Sequence, residues 1–188
     1  MKTLLIRGAM VLSGVALLLA PGCKKAEEQA SPGLSEAKGE AAGVSWSIPA
    51  RWTIGADRAM RVATYVVPPA SGDEGGAECA VSFFGTGQGG DVEMNIDRWV
   101  SQFENASTPE RNTYKVAGID VEVVKVEGTY LAPGGPMMQS QGKKEGYEML
   151  GAIVPAPEGM VFFKLTGPAA TVSSAEAEFV AMVKSLTK

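Results

Sequence analysis

The sequence predicts an α+β domain over residues 44–188, a three-layer α/β/α sandwich around a mainly antiparallel sheet. Three observations lead there. Short runs rich in β-branched and aromatic residues recur along this stretch, separated by Gly and Pro turns. Two of the runs, MLGAIV (149–154) and MVFFKL (160–165), are apolar on both alternating sets, so both faces of those strands need cover. Two further segments, one after the third strand and one at the C-terminus, repeat apolar residues at helical spacing.

The elements follow in order. VSWSI (44–48) alternates and ends at Pro49, and AMRVATYVV (59–67) stops at Pro68-Pro69. ECAVSFFG (78–85) puts Cys79, Val81 and Phe83 on one strand face. Cys79 is therefore expected as a buried small hydrophobe, and acidic Glu78 beside it disfavours a reactive thiolate. Residues 91–104 predict a helix with Asp91 as N-cap and Ile96, Trp99 and Phe103 on its core side. TYKV (113–116) and IDVEVVKVEGTY (119–130) flank a turn at Gly118. The alternation of the longer run slips at Val123-Val124, which predicts a bulge there. YEMLGAIV (147–154) and MVFFKLT (160–166) predict a hairpin across PAPEG. Residues 174–186 predict the second helix, with Phe179, Met182, Val183 and Leu186 on one side and a Ser173/Glu176 capping box.

The N-terminus reads as an address. Lys2 and Arg7 precede an apolar run from Ala9 to Ala20, and charge returns at Lys24 and Lys25. Basic, apolar and small-residue segments in this order are a secretory signal, and the run is shorter than the roughly 20 residues a membrane span needs. LAPGC (19–23) resembles the lipobox of bacterial lipoproteins, which implies residues 1–22 as signal peptide and an acylated Cys23. Two or more acyl chains would hold the chain on its membrane. Ala20-Pro21-Gly22 also reads as an ordinary small-x-small cleavage site, which would leave a secreted soluble protein. Residues 23–43 lack aromatic and β-branched residues and are interrupted by Pro32, Gly33, Gly39 and Gly43, so a disordered tether is expected. Lys24 after Cys23 favours the outer membrane, facing the periplasm, under the enterobacterial sorting rule.

Composition narrows the chemistry. The formal net charge is −4, and losing Lys2 and Arg7 with the signal makes the mature chain more acidic. No run of Lys and Arg is present, so nucleic acid is not an expected partner. The chain has no histidine, which excludes Ser-His-Asp and Cys-His catalysis and the usual zinc sites. GTGQGGD (85–91) leads into a helix but has no Lys or Ser/Thr in P-loop register. SGDEGG (71–76) and Met137-Met138 supply too few ligands for calcium or a soft metal, so no cofactor is expected.

The opening WSIPARW (46–52) and the closing VFFKLTGP (161–168) with FVAMVKSL (179–186) resemble the PsbP/Mog family, whose namesake PsbP is an extrinsic protein of photosystem II. Small uncharacterised bacterial lipoproteins with such domains look similar. The resemblance implies the α/β/α sandwich over residues 44–187 and no particular activity, because this fold hosts unrelated binding roles.

A membrane-tethered, non-catalytic binding or accessory module is therefore the expectation, with the domain monomeric. A carboxylate-based hydrolase or lyase using Asp57, Asp97 or Asp120 is the alternative, and a small-ligand carrier is a third reading. The longest irregular segment, LAPGGPMMQSQGKKEG (131–146), is the candidate contact loop for an envelope protein or ligand, with Met137, Met138, Lys143 and Lys144 as its contact residues.

Overall fold

The computed structural model describes residues 33–132 and 142–188. Within them the chain forms β1 (Leu34–Ala41), β2 (Val44–Pro49), β3 (Thr53–Ile54), β4 (Ala63–Val67) and β5 (Ala77–Phe83), then α1 (Val92–Val100). It continues through β6 (Phe103–Glu104), β7 (Glu110–Val116), β8 (Ile119–Leu131), β9 (Lys143–Ala156) and β10 (Gly159–Pro168) to α2 (Ala169–Lys184). β1 and β2 form a hairpin of their own. The other strands form one sheet in the order β3-β4-β5-β10-β9-β8, and β6 and β7 both pair with β8. Every pairing among the described residues is antiparallel. The architecture is thus mixed, with a mainly antiparallel sheet and two helices.

The β9–β10 hairpin, turning at Pro157-Glu158 as expected, sits in the middle of this sheet. On one face Val161, Phe163 and Leu165 join Leu150, Ala152 and Val154 against α2, which contributes Val172, Ala175, Phe179, Met182 and Val183. On the other face Phe162, Met149 and Ile153 meet Ile96 and Trp99 of α1 and Phe103. Each fully buried side chain of this kind contributes roughly 1.5–3 kcal/mol. Trp99 lies so close to β9 that a Cβ on Gly151 would stand 2.2 Å from its ring. Cys79 is fully buried in the α2-side cluster with Val81, as the strand phase predicts. Burial pushes its thiol pKa far up.

Several expectations are corrected. Residues 34–41 are strand β1 rather than tether, so the ordered chain starts well before residue 44. β1 is largely exposed and carries no apolar period. It is held by its backbone ladder to β2 and by Gly39, where a Cβ would come within 2.4 Å of the Trp46 ring. The Ala42-Gly43 turn, with φ of +51° and +78°, closes that hairpin. Its partner β2 buries Val44, Trp46 and Ile48. Trp46 meets Phe163 edge-on at 4.9 Å, and its Nε1 donates to the Tyr65 hydroxyl at 2.9 Å.

There is no bulge at Val123-Val124, because register with β9 runs unbroken from Glu122 to Gly128. The apolar phase slips because the two valines are buried on opposite faces. The register shift falls later, between Gly128 and Tyr130. Helix α1 has its expected cap, with Asp91 Oδ1 accepting from Met94 N at 2.8 Å, but ends at Val100.

Helix α2 starts five residues earlier than expected, behind Pro168, and has no capping box. Asp73, from the SGDEGG turn, serves its N-terminus from outside: its Oδ2 accepts from Thr171 N at 2.9 Å and from the Thr171 hydroxyl. Ala70 N in turn donates to that hydroxyl at 2.9 Å. A distant carboxylate thus does the work of an N-cap and complements the helix dipole. Asp73→Ala is expected to cost about 1 kcal/mol. The urea midpoint should fall with an unchanged m-value; an unchanged midpoint would show that the α2 terminus does not depend on Asp73.

Ser173 and Glu176, released from capping, surround a buried carboxyl. Glu148 on β9 is fully buried and faces α2. Its Oε2 accepts from Ser173 Oγ at 2.9 Å, and Lys125 Nζ lies 3.5 Å from Oε1 and 3.0 Å from Glu176. Glu127 is its register partner on β8. Burial, with a hydrogen bond to Glu127, pushes the Glu148 pKa up to about 7 against the opposing pull of Ser173 and Lys125. A carboxyl raised on folding binds its proton more tightly in the native state. Its contribution is complete below the unfolded value and is lost as pH rises through about 7. Glu148→Gln should therefore flatten the decline in stability between about pH 4.5 and 7, measured as urea midpoints across that window. An identical pH slope in the variant would mean that Glu148 does not titrate there.

Candidate functional site: a basic cleft beside α1

Among the described residues, the α1 side of the sheet is only partly covered. Helix α1 has nine residues, and Trp99 seats it over Gly151 of β9. Beyond it the sheet face turns polar: Glu78 and Ala80 of β5, Lys164 and Thr166 of β10, and Tyr147 of β9 line a cleft of about 420 Å³. Tyr130 of β8, Gln102 after α1, and Arg58 and Arg61 from the β3–β4 connection complete its walls, with Lys144 at the start of β9. The strand phase explains the polar floor. Lys164 and Thr166 alternate with Phe163 and Leu165, which point into the α2-side core. Register then sets Lys164 opposite Ala80 and Thr166 opposite Glu78.

Four cationic side chains line the cleft against a single carboxylate, Glu78. Glu78 holds both arginines: Arg61 Nη1 lies 2.7 Å from Oε1 and Arg58 Nη2 lies 3.1 Å from Oε2. Arg61 also reaches Thr64 Oγ1 at 3.3 Å. Lys164, half-buried on the floor, has only neutral hydrogen-bond partners among the described residues. Its Nζ donates to Gln102 Oε1, lies 3.5 Å from the Tyr130 hydroxyl, and stands 5.1 Å from that ring's centroid. The Gln102 backbone is anchored to β8, its main-chain carbonyl accepting from Leu131 N at 2.8 Å. Burial, reinforced by the positive charges of Arg61 and Arg98, lowers the Lys164 pKa to about 8. Burial also raises the Tyr130 pKa, so its hydroxyl stays protonated. Tyr130 and Tyr147 lie parallel, 3° apart, with centroids 6.1 Å from each other. Lys144 Nζ stands 5.3 Å over the Tyr147 ring.

The sequence-predicted residues fall as follows. Lys144 lines the cleft, whereas Lys143 pairs with Glu104 at 2.6 Å. Both belong to strand β9 rather than to a loop. Met137 and Met138 lie outside the described residues, as do Cys23 and the signal peptide. Asp57, Asp97 and Asp120 are exposed on three separate elements, and Asp120 pairs with Lys115 at 2.9 Å. The structure brings no two of them together in the cleft. Carboxyls are juxtaposed elsewhere: Glu127 and Glu148 at the sheet's α2 side, where Glu148 is inaccessible, and Glu93 and Glu122, both held by Arg111 at 2.8 and 2.9 Å. Among the described residues no group of three or more Cys, Asp or Glu could hold a metal ion. No helix there is long and apolar enough to cross a membrane.

Sequence reasoning missed Arg58, Arg61, Tyr130, Tyr147 and Lys164, because they are scattered over the chain. The one local signal was Lys164, a charge inside the apolar run MVFFKL.

Neither a family model nor a curated protein sequence matches the chain. Among solved structures, the solution structure of cyanobacterial PsbP (CyanoP) from Synechocystis sp. PCC 6803 is similar at 9% identity and a TM-score of 0.48, over 77% of this chain and 86% of that one. A crystal structure of a protein of unknown function from Pseudomonas aeruginosa is similar at 14% identity and a TM-score of 0.45, over 81% and 96%. At these values the similarity carries nothing about the cleft.

Lys164 has a consequence for stability. A lysine whose pKa falls on folding is protonated more readily in the unfolded chain. Stability should therefore rise with pH between about 8 and the unfolded lysine value near 10.5. Lys164→Met should abolish that rise, read from thermal midpoints at pH 7.5 to 10. A variant with the same slope as the parent would show that Lys164 is not held in a depressed state.

Proposed function

We propose that this chain is a non-catalytic binding or accessory lipoprotein of the bacterial envelope, anchored through acyl chains on Cys23, with the basic cleft as its binding site. The PsbP/Mog-like, three-layer α/β/α reading of the domain goes with it. It is supported by two apolar clusters on opposite faces of the sheet, one shared with α2 and one with α1. The observation that carries the functional reading is the cleft itself. Four cations face one carboxylate there, in a chain of net charge −4. Such concentrated charge costs stability through mutual repulsion, which a bound partner of opposite sign would relieve. The carboxylate hydrolase or lyase is the weaker reading, because Glu78 stands alone among the cleft residues and is occupied by two arginines. The anchor and the cleft support a single role: the lipid keeps the module at a membrane surface, and the cleft takes what is presented there.

The anchor is tested directly. The intact chain produced in a bacterial envelope should yield an N-terminal peptide heavier than its sequence by the lipid, and Cys23→Ser should move the protein from the membrane to the soluble fraction. An unmodified N-terminus would leave the secreted soluble alternative in its place.

A further inference from the structure

We infer that the cleft recognises a phosphate monoester, with the phosphoryl group over Lys164 and between Arg61 and Lys144, and with the ligand's organic body against Tyr130 and Tyr147. This inference rests on the binding-module reading and adds the ligand's chemistry.

Three features select phosphate. First, the cations come from three elements: Arg58 and Arg61 from the β3–β4 connection, Lys164 from β10, and Lys144 from the start of β9. Cations approaching from different directions suit a tetrahedral dianion with three free oxygens better than a planar carboxylate with two. Second, Glu78 engages both guanidinium groups and, among the described residues, leaves the ammonium groups of Lys164 and Lys144 without a carboxylate partner. Among the described residues the polar partners of Lys164 are only Gln102 Oε1 and the Tyr130 hydroxyl, both neutral. A half-buried ammonium with neutral partners carries an electrostatic cost that a phosphoryl oxygen would remove. Third, the parallel Tyr130 and Tyr147 rings give the cleft an apolar flank, and its volume of about 420 Å³ exceeds what a bare phosphate fills.

Linkage follows from the same geometry. A dianion beside Lys164 favours the ammonium form and would restore the pKa that burial and Arg61 depress. Binding should therefore take up a fraction of a proton near pH 8 and weaken as pH rises above that value. It should also weaken with salt, since Lys144 lies at an exposed rim.

The shared chemistry could be supplied by a soluble phosphate monoester or by the headgroup of a phosphatidic-acid-type lipid, and the test separates them. The full chain carrying Cys23→Ser is titrated calorimetrically with inorganic phosphate, phenyl phosphate and phenol. The same protein is sedimented with phosphatidylcholine vesicles containing or lacking phosphatidic acid. Phenyl phosphate should bind more tightly than inorganic phosphate, and phenol should not bind. Lys164→Met should weaken phenyl phosphate by about tenfold or more, as expected for a lost charge-assisted contact. Lys144→Gln, at the exposed rim where folding is not at stake, should weaken it several-fold, and circular dichroism should show both variants folded. Co-sedimentation only with phosphatidic acid assigns the lipid source; calorimetric binding without co-sedimentation assigns a soluble one. Absence of binding in both arms, or binding unchanged by both lysine variants, overturns the phosphate assignment. In that event, envelope cross-links of the intact chain that disappear with Lys144→Gln would leave the binding-module reading standing, whereas cross-links indifferent to it would remove that reading too.

Discussion

Two adjacent residues, Phe162 and Phe163, impose the constraint on which the structure depends. They sit side by side on the central strand β10 and therefore point to opposite faces of the sheet, and both are buried. Neither face at the centre of the sheet can be left to water. Phe163 is enclosed by the α2-side cluster and by Trp46 of the β1–β2 hairpin, and Phe162 stands against Trp99 of α1, edge-on at 6.3 Å. The placing of both helices and of the N-terminal hairpin follows from covering this one pair.

The two faces are covered unequally, and that inequality makes the cleft. Helix α2 has sixteen residues and contributes six buried positions. Helix α1 has nine residues and buries Asn95, Ile96 and Trp99. Gly151 lets Trp99 sit directly on β9, which fixes α1 at one part of its face. Among the described residues the sheet beyond the helix is uncovered, its residues there are mainly polar, and its cations collect around the floor formed by Lys164. A longer helix in the place of α1 would have made this region apolar core.

Much of the fold was legible because it depends on periodicity. Apolar runs such as 149–154 and 160–165 report burial on both faces, and Trp99 with Ile96 reports a helix against a core. What was not legible depends on partners distant in sequence. Strand β1 buries too little to show a pattern, and its order comes from the ladder to β2. The cap of α2 is Asp73, ninety-eight residues from Thr171, so a local motif at Ser173 and Glu176 competed with it and lost. The slip at Val123-Val124 reflects no bulge in the backbone but one strand passing between two cores. Most of the cleft was illegible for the same reason. Its arginines, lysines and tyrosines lie on four different strands or connections, and only Lys144, beside Lys143, belongs to a basic pair.

Two ionisable groups embedded in the sheet show how structural and functional charge differ within one protein. Glu148 is fully buried, and the fold settles it by holding its proton: burial and Glu127 oppose its charge more strongly than Ser173 and Lys125 favour it, so it stays neutral up to about pH 7. Lys164, on the opposite face, is less buried and lines the cleft, yet its charge too is disfavoured, with a neutral amide and an aromatic ring for company and an arginine nearby that repels it. A protein that needed only stability would have placed Leu or Met at that position, as the rest of the run MVFFKL suggests. An unanswered charge at the floor of an open cleft is a cost borne in the empty state, and it is offset when a ligand of opposite charge completes the site.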